Sequence, residues 1–463
     1  MPLVPYLQGK TVAVMGLGKS GTSAATVLQN SGATVWAWDD KAETRDAAAA
    51  AGLTIVDLNT ADLTEVTLVL WSPGIPHTHP QPHPVATRAR ALGKKLVCDI
   101  ELLALACPSA HFIGITGTNG KSTTTTLIGH ILAQAGSKVA VGGNLGIPAL
   151  DLPPLGTDGT YVLELSSYQL ELIDQAAFDV ALLLNITPDH LGRHGGMDGY
   201  IAAKAGLFGR LRPGGIAVAG IDDAPSRSIV EHLRNVSSEY VIPISTESQV
   251  MGGVCAVEGI LVDDCDGQST PIIDLRGIAS LPGRHNWQNA CAAYAAARAS
   301  DVDIAAICKG LSTYPGLAHR QELVGEVDGV RYVNDSKATN ADASEKAMVC
   351  YDDIYWIIGG QPKEGGIASL EYLYPRVRRA FLIGDATEDF AASLQGKAPF
   401  ERCGTLDVAV ARARETALAE RRPGAVVLLS PACASWDQFK SFEHRGDVFR
   451  ALVAALPGER RPA

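Results

Sequence analysis

The chain has 463 residues, 46% hydrophobic and 19% charged, which is room for two or three domains with sizeable cores. A net charge of -11 argues against a nucleic-acid partner, since such proteins carry a basic face or stripe, and it means any anionic ligand must be held by local donors against the overall field. Nine cysteines form no C-x-x-C pair, and their odd number excludes a fully paired intrachain framework, so free thiols in a reducing compartment are expected.

The opening MPLVPYLQGK lacks the apolar stretch of a secretion signal, and no run approaches about 18 apolar residues. A cytoplasmic chain without membrane contact is expected. A first block then reads as strand TVAVMG, helix SGTSAATVLQNSG, strand TVWAWDD, a strand over 66–74, and a last short strand near GKKLVCD. The loop PGIPHTHPQPHP interrupts it with His77, His79 and His83. No further ligand is evident for a zinc site there, so a polar loop is expected. A second block runs through strand HFIGITG, helix STTTTLIGHILAQAG, and strands KVAVGG, YVLELSS and DVALLLNI. Gly- and Asp-rich sequence over 250–280 reads as hairpins or an insertion before the helix NWQNACAAYAAARA. The third block, from 317, holds LAHRQELVGEVDGVRYVNDS and strands IYWIIGG, AFLIGD and AVVLLSP. Strands alternating with Ala-rich helices predict α/β architecture with parallel sheets.

Two glycine loops carry phosphate-binding geometry. In VMGLGKSG, Gly16, Gly18 and Gly21 form G-x-G-x-x-G between strand and helix, with Asp39 and Asp40 ending the next strand. This is the dinucleotide fingerprint, in which glycines let the backbone approach a pyrophosphate at a helix N-terminus, so a NAD- or FAD-dependent enzyme is one reading and a ligand-free turn another. In GITGTNGKSTTTT, Gly117, Thr118, Asn119, Gly120, Lys121, Ser122 and Thr123 end like a P-loop, yet P-loop spacing would put the first glycine at Ile115. Strand, loop, lysine, hydroxyl and helix still agree on ATP, with Ser122 or Thr123 able to offer a hydroxyl to Mg²⁺. Glu164 ends the strand YVLELSS, and Asn185, Asp189 and His190 follow DVALLLNI, at the sheet edge where α/β proteins bind ligands. In the third block, Arg320, Asp335, Ser336, Lys337, Thr339 and Asn340 also cluster past a strand and suit an anionic substrate or a solvated turn.

Taken in order, TGTNGKST, GGNLG, ELSSYQL, NITPDH, LPGRHNWQNA, AHRQE, NDSKATN and LLSPACASWDQF resemble the Mur ligases of peptidoglycan synthesis along nearly the whole chain. The odd loop spacing is then a family feature. The resemblance implies three domains: 1–100 (Rossmann-like, binding a UDP-substrate), 101–316 (P-loop-type, binding ATP) and 317–463 (Rossmann-like, binding the amino acid). ELSSYQL and SPACASWDQF are similar to the member that joins D-glutamate to UDP-MurNAc-L-alanine through an acyl phosphate, with ATP hydrolysed.

By that resemblance Gly117, Thr118, Asn119, Gly120, Lys121, Ser122 and Thr123 hold the phosphates, with Asn289, Arg320 and Asp335 on the nucleotide. Ser122, Glu164, His190 and a carbamylated Lys204 bind Mg²⁺, and Lys121, His190 and Lys204 are catalytic. Gly16, Leu17, Gly18, Ser72, Pro73, Gly74 and Asn144 take the UDP-substrate. Lys337, Thr339, Lys363, Ser435 and Phe442 take D-glutamate. Unmodified, Lys204 reads as a helix-surface lysine, and Ser435 as a cap of a helix WDQFKSFEHRG. A monomer acting on small molecules is implied. A dehydrogenase and a nucleotide-binding regulator without chemistry remain the alternatives.

Overall fold

The computed structural model describes residues 1–236, 240–363 and 365–461. It is α/β, with three sheets of four, nine and seven strands. Strands β1 Thr11–Met15, β2 Thr34–Trp38, β3 Val66–Trp71 and β4 Lys95–Val97 form a parallel sheet in the order β2-β1-β3-β4. The alternation of Val, Ala and aromatic residues with a helix after each strand is the pattern that buries both faces of a parallel sheet.

The second sheet runs β13-β12-β11-β10-β9-β8-β5-β7-β6. Its parallel part comprises β5 His111–Thr116, β6 Lys138–Gly143, β7 Gly159–Glu164, β8 Phe178–Leu183, β9 Leu211–Gly220, β10 Tyr240–Ser245 and β11 Val254–Val257. The Gly/Asp-rich stretch adds β12 Ile260–Asp263 and β13 Thr270–Asp274 as antiparallel hairpins at the edge. Strand β5 lies between β7 and β8, so the chain winds to opposite sides of it and the crevice beyond its C-terminal end is a topological switch point. The first and second sheets share one buried apolar cluster that includes Val12, Leu28, Phe112, Tyr161 and Val241.

The third sheet has the order β18-β17-β16-β19-β15-β14-β20, from β14 Glu322–Val327, β15 Val330–Asn334, β16 Ile354–Gly359, β17 Val377–Ile383, β18 Phe400–Gly404, β19 Val426–Leu429 and β20 Arg460–Arg461. Its faces pack separate cores, Trp356 and Leu382 on one and Tyr355 and Phe381 on the other. Chain packing gives two compact units, Met1–Leu275 with Asn286–Tyr314, and Arg276–His285 with Pro315–Ala463. The expected boundary at 100 falls inside the helix Asp99–Ala106.

One expected element differs. The helix over WDQFKSFEHRG starts late, at Phe442, and runs to Ala455. Ser441, not Ser435, is its cap and accepts from the His444 amide at 3.2 Å. Upstream, the Ser435 carbonyl accepts from the Phe439 amide in a turn, and Asp437 reaches away to the Asp385 amide. Ser441 is itself extended, with φ -166° and ψ 172°, and this separates the turn at 435–439 from the helix.

Candidate active site

The first glycine loop joins β1 to the helix Lys19–Asn30. Gly16 has φ +91°, and a Cβ there would lie 2.4 Å from that of Ser72; a Cβ on Gly21 would lie 1.9 Å from the Gly16 carbonyl oxygen. Gly18 caps the helix, and a Cβ there would meet nothing within 4 Å. Two glycines thus serve backbone packing and the third borders open space. Asp39, at the position where a dinucleotide site reads a ribose, instead accepts from the Leu17 amide at 2.8 Å. Pro73 and Gly74 follow β3 in a turn closed by Ile75 N donating to the Ser72 carbonyl at 3.0 Å.

The second loop joins β5 to the helix Lys121–Gln134. Gly117 has φ +151° and Gly120 φ +85°, values that favour glycine, and a Cβ on Gly120 would lie 2.2 Å from Asn289 Oδ1. Asn289, from the helix Arg284–Ala299, accepts from Thr124 Oγ1 at 3.2 Å and so stands directly behind the loop. The loop after β8 buttresses its other side. The Asn185 carbonyl accepts from the Thr118 amide and Asn185 Oδ1 from the Asn119 amide, each at 2.9 Å, while Thr118 Oγ1 lies 3.0 Å from the Tyr200 hydroxyl. Ser122 and Thr123, both buried, sit in the first helical turn, where backbone N–H groups lack intrahelical acceptors and favour an anion.

Two lysines meet here. Lys121 Nζ donates to the Gly117 and Thr118 carbonyls, and Lys204 Nζ to the same Gly117 carbonyl, all at 2.8 Å. Lys204, on the helix Met197–Ala205, is 1% exposed, so it is not a surface lysine. Burial, reinforced by the charge of Lys121 and opposed by Asp189 and Glu164, pulls its amine down to about 7. A large share of it is therefore neutral near neutral pH.

Glu164, at the end of β7, is 3% exposed. Its Oε1 accepts from Asn144 Nδ2 at 2.8 Å, while Oε2 is buried with no hydrogen-bond partner. A buried carboxylate oxygen left unpaired is costly, and a hard cation would satisfy it. Glu164 fits Mg²⁺ in this respect, and the buried Ser122 could add a hydroxyl. Among the described residues no three or more His, Cys, Asp or Glu gather as a metal centre. His190 is half-exposed, 3.4 Å from Asp189 Oδ2 and packed on the Tyr168 ring. The loop histidines diverge. His77 is buried 3.1 Å from Glu171, His83 caps the helix Pro84–Ala91 and lies 3.0 Å from Asp40, and His79 lies against Gly195.

In the second unit, Asp335 is 4% exposed and fully engaged: its Oδ1 accepts from the Gln321 amide at 3.2 Å and its Oδ2 from Ser430 Oγ at 2.8 Å. Burial pushes its carboxyl up to about 7 against those bonds, and it fixes the loop that carries half-buried Arg320. Lys337 Nζ stands 5.5 Å from the Phe442 ring centroid, and Ser336 Oγ donates to the Phe442 carbonyl at 2.8 Å. Ser435 is buried, Thr339 is half-buried and Lys363 is exposed, while Gln361 N donates to the Ala434 carbonyl at 3.0 Å, joining GGQPK to SPACAS. The sequence reading misses Arg445. Fully buried, it donates to Ser336 Oγ and carbonyl at 2.9 Å each and to the Cys433 carbonyl at 3.1 Å, tying NDSKATN to SPACAS. Its only sequence signal is a cation in the first turn of an otherwise amphipathic helix.

These features define an α/β protein with a lysine-bearing glycine loop at a sheet switch point. Residues 10–94 match the model of the Mur ligase MurD-like N-terminal domain and residues 115–297 that of the Mur ligase middle domain. The chain is 62% identical to a UDP-N-acetylmuramoylalanine--D-glutamate ligase of Paramagnetospirillum magneticum over 98% of each chain. It is 56% identical to one of Rhodospirillum rubrum, over 100% of this chain and 98% of that one. The chain belongs to the Mur ligase family. The fold is similar to that of UDP-N-acetylmuramate-alanine ligase MurC from Thermotoga maritima, with TM-score 0.55, 16% identity, and 96% of this chain and 99% of that chain covered.

Proposed function

We propose that this chain is an ATP-dependent ligase that joins D-glutamate to UDP-N-acetylmuramoyl-L-alanine, a cytoplasmic step of peptidoglycan precursor synthesis. Relatives at 62% and 56% identity carry that activity in their names. The geometric feature that supports it most is the buried Lys204 beside Lys121, with Glu164 Oε2 unpaired at the neighbouring strand end. A neutral amine in that setting can take up CO₂ as a carbamate, becoming the anion that a metal site needs and relieving its repulsion with Lys121.

In this reading the segments 1–100, 101–316 and 317–463 serve the UDP-substrate, ATP and D-glutamate. Gly117 to Thr123 hold the ATP phosphates with Asn289, and Arg320 contacts the nucleotide from a loop set by Asp335. Ser122, Glu164, His190 and the Lys204 carbamate would hold Mg²⁺, which when bound neutralises phosphate charge. Gly16, Leu17, Gly18, Ser72, Pro73, Gly74 and Asn144 take the UDP-substrate. The substrate carboxylate attacks the γ-phosphorus and ADP leaves, giving an acyl phosphate. The neutral amine of D-glutamate then attacks the acyl carbon, phosphate leaves with the bonding pair, and the nitrogen loses a proton. Lys121 stabilises charge on the transferred group. Lys337, Thr339, Lys363, Ser435 and the Phe442 backbone hold the carboxylates of D-glutamate, with no carboxylate among them to trap its amine.

Phosphate release with UDP-MurNAc-L-Ala and a panel of D-Glu, L-Glu, L-Lys and meso-diaminopimelate tests this reading. Release with D-Glu alone is expected. Release with another amino acid in its place would overturn the choice of acceptor.

A further inference from the structure

The loop that follows the Ser72–Gly74 turn is gripped from the second sheet at two points. Arg193, in the short helix Leu191–His194 just past His190, donates from Nη1 to the Gly74 carbonyl at 2.9 Å and from Nη2 to the Pro73 carbonyl at 3.2 Å. Its guanidinium stacks 4.5 Å from the centroid of the Tyr168 ring, which also packs on His190 and His194 at 5.2 and 5.4 Å. Three residues beyond Gly74, the buried His77 faces Glu171 at 3.1 Å, and the other Glu171 oxygen accepts from His194 Nδ1 at 2.8 Å. His77 Nδ1 accepts from Arg90 at 2.8 Å, which leaves Nε2 on the Glu171 side. Burial raises the Glu171 carboxyl, but the bonds from His77 and His194 outweigh it and hold it below its ordinary value.

We infer that Arg193 is a positioning residue for the UDP-substrate: it fixes the Ser72–Pro73–Gly74 turn relative to the His190 and Lys204 segment and so sets where the substrate's carboxylate meets the γ-phosphate. Several observations lead there. A planar fork that spans two successive carbonyls fixes the direction as well as the position of a turn, which a single lysine amine cannot do. That turn packs directly on the first glycine loop, since a Cβ on Gly16 would strike Ser72. The residue below the guanidinium, Tyr168, is the same one that seats His190. A displacement of the turn is thus a displacement of the diphosphate end of the substrate with the ATP loop left in place, and misplacement by about 1 Å can cost on the order of 10²-fold in rate.

The inference rests on the assignment of Gly16–Gly18 and Ser72–Gly74 to the UDP-substrate. The test uses steady-state kinetics of full-length Arg193→Ala and Arg193→Lys beside Gly18→Val. For Arg193→Ala, kcat should fall roughly 10- to 100-fold and the KM for UDP-MurNAc-L-Ala should rise, with the KM values for ATP and D-glutamate within about twofold of the parent. Arg193→Lys should recover part of the loss, and added methylguanidinium should partly restore Arg193→Ala, which a purely structural defect would not allow. An unchanged UDP-substrate KM and kcat, or a uniform rise of all three KM values without methylguanidinium rescue, overturns the inference. If Gly18→Val raises that KM while Arg193→Ala leaves it unchanged, the inference falls and the site assignment stands. If Gly18→Val also leaves it unchanged, the assignment itself falls.

Discussion

The loops at Gly16–Gly21 and Gly117–Ser122 are the same backbone device: each leaves a parallel strand, turns through glycines of which Gly16, Gly21 and Gly120 have no room for a Cβ, and opens a helix. What surrounds them differs. At the first, the Leu17 amide is spent on Asp39, Gly18 faces open space, and Lys19 turns away to the Gly146 carbonyl. At the second, Lys121 and Lys204 share one carbonyl, and a carboxylate with an unpartnered oxygen closes the neighbouring strand. Glycine spacing encodes only a concavity that admits phosphate. In the proposed reading, the side chains around it separate a site for the UDP-substrate from one for ATP and a metal.

Removing the lysine that distinguishes the second loop has the largest expected effect. Lys121→Ala should lower kcat by about 10²-fold or more with the far-UV CD spectrum unchanged, because one such contact to developing charge is worth that much. Near-normal turnover would erase the difference between the loops. Lys204→Ala should be similarly inactive and be partly restored by acetate, which supplies the missing anion. The parent enzyme, labelled with ¹³C-bicarbonate, should show a carbamate resonance that grows between pH 6 and pH 8, since the amine loses its proton about 7 and only the neutral form reacts. A signal that stays absent until pH 10 would mean an ordinary lysine.

A smaller effect is expected away from both loops. Lys337→Ala should raise the KM for D-glutamate by the equivalent of roughly 1.5–3 kcal/mol, the worth of a charge-assisted hydrogen bond, and leave the affinity for ATP unchanged. Smallest of all are changes in stability within the first loop. Gly21→Ala should cost about 1–3 kcal/mol by overpacking on the Gly16 carbonyl, whereas Gly18→Ala should stay within about 0.5 kcal/mol. Equal urea midpoints for the two variants would remove the distinction between packing and ligand-facing glycines.

Much of this was legible in the sequence because it is local. Strand–loop–helix boundaries at both glycine loops follow from β-branched runs, glycines and hydroxyls within about 15 residues. Long-range commitments were not. That Asp39 serves Leu17, that both Asp335 oxygens are taken, and that Lys204 is buried depend on partners from other elements, and a helix carrying a lysine looks the same whether its face is covered or wet. Arg445 and Arg193 escaped for the same reason, each acting on main-chain carbonyls that leave no mark in the sequence. The late start at Phe442 escaped because two serines, Ser435 and Ser441, compete as caps, and it is the extended backbone at Ser441 that starts the helix there.

The division of labour between the two loops is tested most directly by calorimetric titration of Gly18→Val and Lys121→Ala with each ligand separately. Gly18→Val should weaken binding of UDP-MurNAc-L-Ala and leave a non-hydrolysable ATP analogue unaffected, while Lys121→Ala should do the reverse. Loss of the ATP analogue in Gly18→Val with the UDP-substrate retained would contradict the account.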